Sequence, residues 1–91
     1  MVHTMLKVEK SATDALVIFA VSGEIAMDEV AELRRVLESE PSVRKVLDLK
    51  DVTIVDRDAV MFLADCETDR IELKNCPRFI RQWIVRERGL G

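Results

Sequence analysis

Apolar residues follow two different spacings along this chain, and the changes between them predict seven elements. Four segments carry the β-branched or alternating pattern that is typical of strands. Three others carry apolar residues at every third or fourth position, which is typical of helices that pack by one side. The predicted strands are 5–8, 15–22, 45–52 and 71–75, and the predicted helices are 27–39, 57–69 and a last helix that begins after Pro77.

Two of these segments indicate how the elements pack. Residues 15–22 read ALVIFAVS, and such a nearly continuous apolar run predicts a strand that is buried on both faces. The first predicted helix has one apolar side, which we expect to face the core. That side comprises Met27, Val30, Leu33, Val36 and Leu37.

The order of the elements is β-β-α-β-α-β-α, and it predicts the fold class. Strands that alternate with single helices indicate right-handed parallel crossovers, whereas the short turn after the first strand indicates an antiparallel strand at an edge. We therefore expect an α/β fold with a four-stranded mixed sheet and helices mainly on one face. A chain of 91 residues is too short for two independent cores, so a single domain, 1–91, is predicted.

Composition narrows the classes of partner. The chain is 48% hydrophobic and 34% charged with a net charge of −3, which is typical of a globular domain without affinity for nucleic acid or anionic membranes. No apolar run approaches the ~20 residues that span a bilayer, so no direct membrane insertion is expected. The N-terminal MVHTMLKVEK lacks the apolar core of a signal peptide, and we expect a cytoplasmic, bacterial protein.

The chemistry-bearing residues do not form a known catalytic or metal-binding motif. The three glycines at 23, 89 and 91 exclude a glycine-rich phosphate loop, and His3 is the only histidine. Cys66 and Cys76 are ten residues apart, a spacing that matches neither a redox motif nor a zinc site. We expect free thiols, no metal, no cofactor and no catalytic residue.

A charged seam interrupts the apolar pattern in TIVDRDAVMFLAD, residues 53–65. If a helix begins at Arg57, the Asp56 carboxylate caps it by accepting hydrogen bonds from backbone N–H groups of the first turn. Asp58 then lies in that first turn, where the helix dipole favours negative charge. The helix is so apolar that either it is covered on several sides or its Val60-Met61 edge is a surface for a partner.

Arginines are concentrated in the last predicted helix. One interpretation is a solvated face with cations that complement the helix C-terminus. The other is a basic docking patch for an acidic partner, comprising Arg78, Arg81 and Arg86.

The segments VSGEI (21–25), MDEVAELRRVL (27–37), VLDLKDVTIVD (46–56) and IELKNC (71–76) resemble the STAS domain, which occurs in anti-sigma factor antagonists and in some transporters. The resemblance covers most of residues 4–88, and VLDLKDVTIVD is the strongest match. It implies the same element order that the periodicity predicts. It also implies a signalling role, because antagonists carry Asp-Ser-Ser/Thr-Gly at the start of the second helix. A partner kinase phosphorylates the second hydroxyl residue there, and phosphorylation releases the antagonist from that kinase.

This chain departs from that signature. It reads Asp56-Arg57-Asp58-Ala59, so only Asp56 matches, and Asp58 stands where the phosphoacceptor would be. Asp58 is therefore either a constitutive mimic of the phosphorylated state or simply an acid that stabilises the helix start. The resemblance implies a partner-binding tip that comprises Asp51, Thr53, Asp56, Arg57, Asp58, Val60 and Met61.

Three functional hypotheses follow. The first is a non-catalytic protein-interaction module of STAS type in bacterial regulation, with an anti-sigma-type ATPase or another signalling protein as its partner. The second is a cytoplasmic accessory subunit of a membrane transporter. The third, an enzyme with Asp56 or Asp58 as general base, requires a concave pocket around a carboxylate of raised pKa. The free edge of the first strand also makes a homodimer an open alternative.

Overall fold

The computed structural model describes residues 6–41 and 44–89 of the chain. It contains the seven predicted elements in the predicted order, which confirms the α/β fold class. Met5, the predicted first residue of the first strand, and His3 lie outside the described residues. The elements are β1 (Leu6–Ala12), β2 (Val17–Ile25), α1 (Met27–Glu38), β3 (Lys45–Val55), α2 (Arg57–Thr68), β4 (Glu72–Lys74) and α3 (Arg78–Gly89).

The four strands form one mixed sheet in the order β1-β2-β3-β4. β1 runs antiparallel to β2, while β3 runs parallel to both β2 and β4. The predicted antiparallel edge strand is thereby confirmed. Because β2 and β3 are parallel, their carboxyl ends lie at the same end of the sheet. The helices that follow them, α1 and α2, therefore begin next to each other.

β1 extends further than its sequence predicts. Residues 9–12 were expected to form a turn because they are polar, yet they continue the pairing with β2. An edge strand with a solvated side accepts polar side chains, so polarity does not end it. The turn follows instead at Thr13, whose backbone N–H donates to the Leu16 carbonyl at 2.9 Å.

The helices pack on one face of the sheet, as predicted. Along β2 the side chains alternate, with Val17, Phe19 and Val21 buried and Ile18 and Ala20 half-buried. The expectation that this strand is buried on both faces is wrong, because the helix layer covers only one of them. The core under that layer includes Leu33 of α1, Phe62 and Leu63 of α2, and Ile80 and Ile84 of α3.

Two ion pairs fix the direction of α3 relative to α2. Arg81, near the start of α3, contacts Glu67 in the last turn of α2, whereas Glu87, near the end of α3, contacts Arg57 at the start of α2. The two helices therefore run antiparallel. Each described helix has twelve residues, and none has the length and apolar character to cross a membrane.

Candidate partner-binding site

Asp56 caps α2 as the sequence predicts. Its backbone is extended, with φ −104° and ψ −178°, and its Oδ1 accepts a hydrogen bond from the backbone N–H of Ala59 at 2.9 Å. This contact satisfies one of the N–H groups that a helix leaves without an internal partner at its start. The strand-to-helix corner predicted at the seam is therefore present in the fold.

The second carboxylate oxygen of Asp56 serves a different helix. Asp56 Oδ2 accepts a hydrogen bond from the backbone N–H of Met27, the first residue of α1, at 2.9 Å. The residue before α1 is Ala26, which has the extended backbone of an N-cap but no side-chain acceptor. Glu29 supports this corner by accepting from the Ala26 N–H at 3.1 Å. One carboxylate thus joins the starts of two helices, through a contact between residues that are 29 positions apart in sequence.

Backbone contacts hold this corner to the end of the sheet. The Asp56 N–H donates to the Ile25 carbonyl at 3.3 Å, and the Thr53 hydroxyl donates to the Gly23 carbonyl at 3.2 Å. Gly23 has φ 94°, a left-handed conformation that glycine adopts without a steric cost. The register between β2 and β3 shifts twice near this end. Such irregularities bend strands and change the direction of their side chains.

The two charged residues after Asp56 have different surroundings. Arg57 is exposed and its guanidinium lies 3.4 Å from a carboxylate oxygen of Glu87. Asp58 is also exposed, in the first turn of α2, and within the described residues its carboxylate has no ion-pair or hydrogen-bond partner. The negative charge at position 58 is therefore available to a partner molecule.

Large apolar side chains are exposed on the three elements that meet at this corner, α1, β3 and α2. Met27 is 62% exposed, Ile54 is 55% exposed and Met61 is 43% exposed. Met27 was expected in the buried side of α1, and this prediction is wrong, because the first residue of that helix is left largely exposed. Val60 belongs to the predicted partner-binding tip but is fully buried, so it cannot contact a partner directly.

We use the name tip surface for the exposed residues at this end of the domain. Sequence reasoning assigned Asp51, Thr53, Arg57, Asp58 and Met61 to this region, and all five are exposed. It missed Met27 and Ile54, because an apolar residue at a helix start or strand end looks the same in sequence whether it is buried or not. The tip surface comprises Met27, Asp51, Thr53, Ile54, Arg57, Asp58 and Met61.

The arginines of α3 divide into two groups. Arg78 and Arg86 are exposed, as a docking patch requires. Arg81 instead makes two hydrogen bonds of 2.9 Å to the Glu67 carboxylate, which Arg88 also contacts at 3.3 Å. The hydrogen bond from Arg81 lowers the pKa of Glu67, and the same hydrogen bond raises the pKa of Arg81. The charge of Arg81 is therefore already paired within the chain, although two hydrogen bonds use only two of the five N–H donors of its guanidinium.

The two cysteines are free thiols. Cys66 is buried, and burial raises the pKa of its thiol to about 12. Cys76 is half-buried, and burial raises its pKa as well. A thiol held protonated is a weak nucleophile and a poor metal ligand. Among residues 6–41 and 44–89, no three His, Cys, Asp or Glu side chains are grouped so that they could hold a metal ion.

Known structures share this architecture, whereas no protein-family model and no curated protein sequence matches the chain. The STAS domain of an anti-sigma-factor antagonist from Rhodobacter sphaeroides superposes with a TM-score of 0.65 at 18% identity, covering 78% of this chain and 87% of that one. An uncharacterised protein of the DUF3478 family with a SpoIIAA-like fold, from Shewanella loihica, superposes with a TM-score of 0.55 at 10% identity, covering 93% of this chain and 99% of that one. The chain therefore has the fold shared by STAS domains and SpoIIAA-like proteins.

Proposed function

We propose that this chain is a non-catalytic protein-interaction module that binds a signalling partner through the tip surface. The observation that carries the proposal is the exposure of Met27, Ile54 and Met61 on the elements that meet at the Asp56 corner, together with the unpaired carboxylate of Asp58 in the first turn of α2. Exposed apolar side chains grouped at one end of a small domain are typical of a surface for a protein partner. They release water on binding, while the surrounding charges select the partner.

Charge indicates which partner fits. Glu24, Asp28, Asp51 and Asp58 lie at this end of the domain, and none of them makes an ion pair with another described residue. The one cation of the tip surface, Arg57, is already beside Glu87. A complementary partner therefore presents apolar side chains surrounded by lysine or arginine. The likeness to an anti-sigma-factor antagonist supports an anti-sigma-type ATPase as that partner.

Asp58 makes the interaction independent of phosphorylation in this proposal. Position 58 carries a carboxylate in the first turn of α2, where the resemblance to antagonists implies a phosphorylated hydroxyl. A carboxylate supplies a permanent charge of −1, whereas a phosphoserine carries about −1.5 to −2 and can be removed. The module therefore binds without a switch at this position.

The experiment is capture of partners from the native host with three versions of the full chain. The tip variant Ile54→Ser/Met61→Ser removes two exposed apolar side chains. Phe79→Ser is the matched control, because Phe79 is 46% exposed and lies in α3 near the opposite end of α2. We expect the wild type and Phe79→Ser to retain the same partner and the tip variant to lose it.

Two results would contradict the proposal. One is recovery of the partner by the tip variant in the same yield as by the wild type. The other is reproducible recovery of no protein at all by the wild type. Urea unfolding of all three proteins shows whether a lost partner reflects a lost surface or a lost fold, and we expect nearly equal midpoints because exposed substitutions change stability little.

A further inference from the structure

The outer edge of β1 is regular and, among the described residues, unpaired. β1 has seven residues and is the first strand of the sheet, so it has a neighbour on one side only within the described part of the chain. The opposite edge strand, β4, has only three residues. Short edge strands resist pairing with another molecule, whereas a longer regular one can accept a further strand.

Side chains of opposite charge alternate with apolar ones along this edge. Lys7 and Glu9 point to the face of the sheet without helices, are 73% and 71% exposed, and lie 3.8 Å apart. Leu6 and Val8 point to the covered face, where they are half-buried against the core. The edge therefore presents one cation and one anion on its open face, on either side of Val8.

From this pattern we propose that two copies of the chain form a dimer through their β1 strands. The two β1 strands pair antiparallel, and a two-fold axis passes through Val8. Val8 then faces Val8 of the second copy, and each Lys7 lies directly opposite a Glu9. Directly opposed residues of an antiparallel pair have their Cβ atoms about 4.5–5.5 Å apart, so both ion pairs form. On the covered face, Leu6 lies opposite the aliphatic stem of Lys10.

The neighbouring registers are disfavoured. We expect the two sheets to join into one continuous sheet with both helix layers on the same face. Residues that lie opposite each other across the interface must then point to the same face of the sheet. The two-fold axis therefore passes through a residue and not between two residues. An axis at Lys7, Glu9 or Lys10 places two like charges directly opposite each other, which destabilises a strand pair. An axis at Val8 replaces this repulsion by two attractions. The interface uses no residue of the tip surface, so this proposal does not rest on the proposed function.

Charge reversal and mixing test the register in the full-length protein. In a homodimer of Lys7→Glu, the carboxylate at position 7 of each copy lies opposite the Glu9 carboxylate of the other copy. In a homodimer of Glu9→Lys, the ammonium group at position 9 of each copy lies opposite that of Lys7 of the other copy. We expect the dissociation constant of the homodimer, measured by sedimentation equilibrium, to rise at least about tenfold for each variant, because two attractive pairs become repulsive. We expect an equimolar mixture of the two variants to regain the dimer.

The two variants contribute different charges to the mixed dimer. The Lys7→Glu copy carries carboxylates at both positions 7 and 9, whereas the Glu9→Lys copy carries ammonium groups at both. Each opposed pair between the two copies therefore joins a carboxylate to an ammonium group, and both attractions return.

A second pair of variants controls for general attraction between proteins of different net charge. Lys74→Glu and Glu72→Lys make the same charge changes at exposed residues of β4, at the opposite edge of the sheet. Each is expected to dimerise like the wild type, with no gain on mixing. A wild type that stays monomeric up to roughly 1 mM would overturn the proposal. So would single variants that dimerise like the wild type, or a Lys7→Glu and Glu9→Lys mixture that does not.

Discussion

The two ends of α2 carry acidic side chains in opposite situations. At its start, Asp56 and Asp58 lie where the helix dipole favours negative charge. At its end, Glu67 lies where the dipole disfavours negative charge, and α2 has no basic residue in its last turn. Arginines of α3 supply the missing cations, with Arg81 at 2.9 Å and Arg88 at 3.3 Å from the Glu67 carboxylate.

This difference distinguishes acidic side chains that are engaged by other groups of the chain from one that is accessible to another molecule. Asp56 is used by backbone N–H groups of two helices, and Glu67 is used by two arginines. Asp58 needs neither kind of partner, because the dipole of its own helix already favours it. The start of α2 can therefore present a carboxylate to another protein, while the end of α2 serves to hold α3 in place.

The largest effect is expected for Asp56→Ala. The substitution removes both hydrogen bonds of the shared cap, so the free energy of unfolding should fall by about 2 kcal/mol. Asp56→Asn is the matched variant, because its amide retains one acceptor oxygen and should lose roughly half as much. Urea unfolding measures both. If Asp56→Asn is as stable as the wild type, one of the two hydrogen bonds contributes nothing to stability, and the shared carboxylate does not couple the two helix starts.

A smaller, pH-dependent effect is expected for Glu67→Gln. The hydrogen bond from Arg81 lowers the pKa of Glu67 in the folded protein below its ordinary value of 4.5. Glu67 therefore binds a proton more readily in the unfolded chain than in the folded protein. The stabilisation that ionised Glu67 gives the folded protein is complete above pH 4.5, and it is lost as the pH falls through the pKa of Glu67 in the folded protein. Because solvent screens these partly exposed groups, we expect a loss of only about 1 kcal/mol at pH 7.

Urea unfolding of the wild type and Glu67→Gln between roughly pH 7 and pH 3 measures this difference, which should shrink toward acid. Glu72→Gln is the control, because Glu72 pairs with Arg44 at 3.8 Å and both side chains are well exposed. Its effect should be close to zero at every pH. A Glu67→Gln difference that stays constant down to roughly pH 3 would show that lost packing, and not charge, causes the destabilisation.

The smallest effects are expected for Asp58→Asn and Asp65→Asn, which compare the dipole at the two ends of α2. Both residues are exposed. Asp58→Asn should lower the free energy of unfolding by roughly 0.5 kcal/mol, whereas Asp65→Asn should leave it unchanged or raise it slightly. Urea unfolding at low salt gives the largest signal, because salt screens the dipole. Equal effects in the two variants would mean that the helix dipole does not distinguish these acids.

Much of the fold could be predicted because its signals are local. The apolar spacings identified every strand and helix that the described residues form, and Asp56 followed by an apolar helix was enough to predict the cap on α2. The element order then predicted the parallel crossovers and the antiparallel edge strand. Boundaries were less well predicted, as the extra residues of β1 show, because pairing at a solvated edge does not require apolar side chains.

The candidate site was predicted only in part. Val60, Met27 and Ile54 are all apolar, and no local pattern separates the buried one from the two that are exposed. Their exposure depends on where the end of the strand or the first turn of the helix lies relative to the helix layer. For the same reason, Arg81 looked like a free cation until α3 was placed against Glu67.

The sequence by itself determined the secondary structure, the fold class and the acid that caps α2, because each depends on residues within a few positions of one another. Only the tertiary structure decided that Asp56 also holds the start of α1, since that contact joins residues 29 apart. It also decided which charges are used within the chain and which remain for a partner. The physical reason is that burial and ion pairing depend on distances in space, which the parallel alignment of β2 and β3 and the antiparallel packing of α2 and α3 set together.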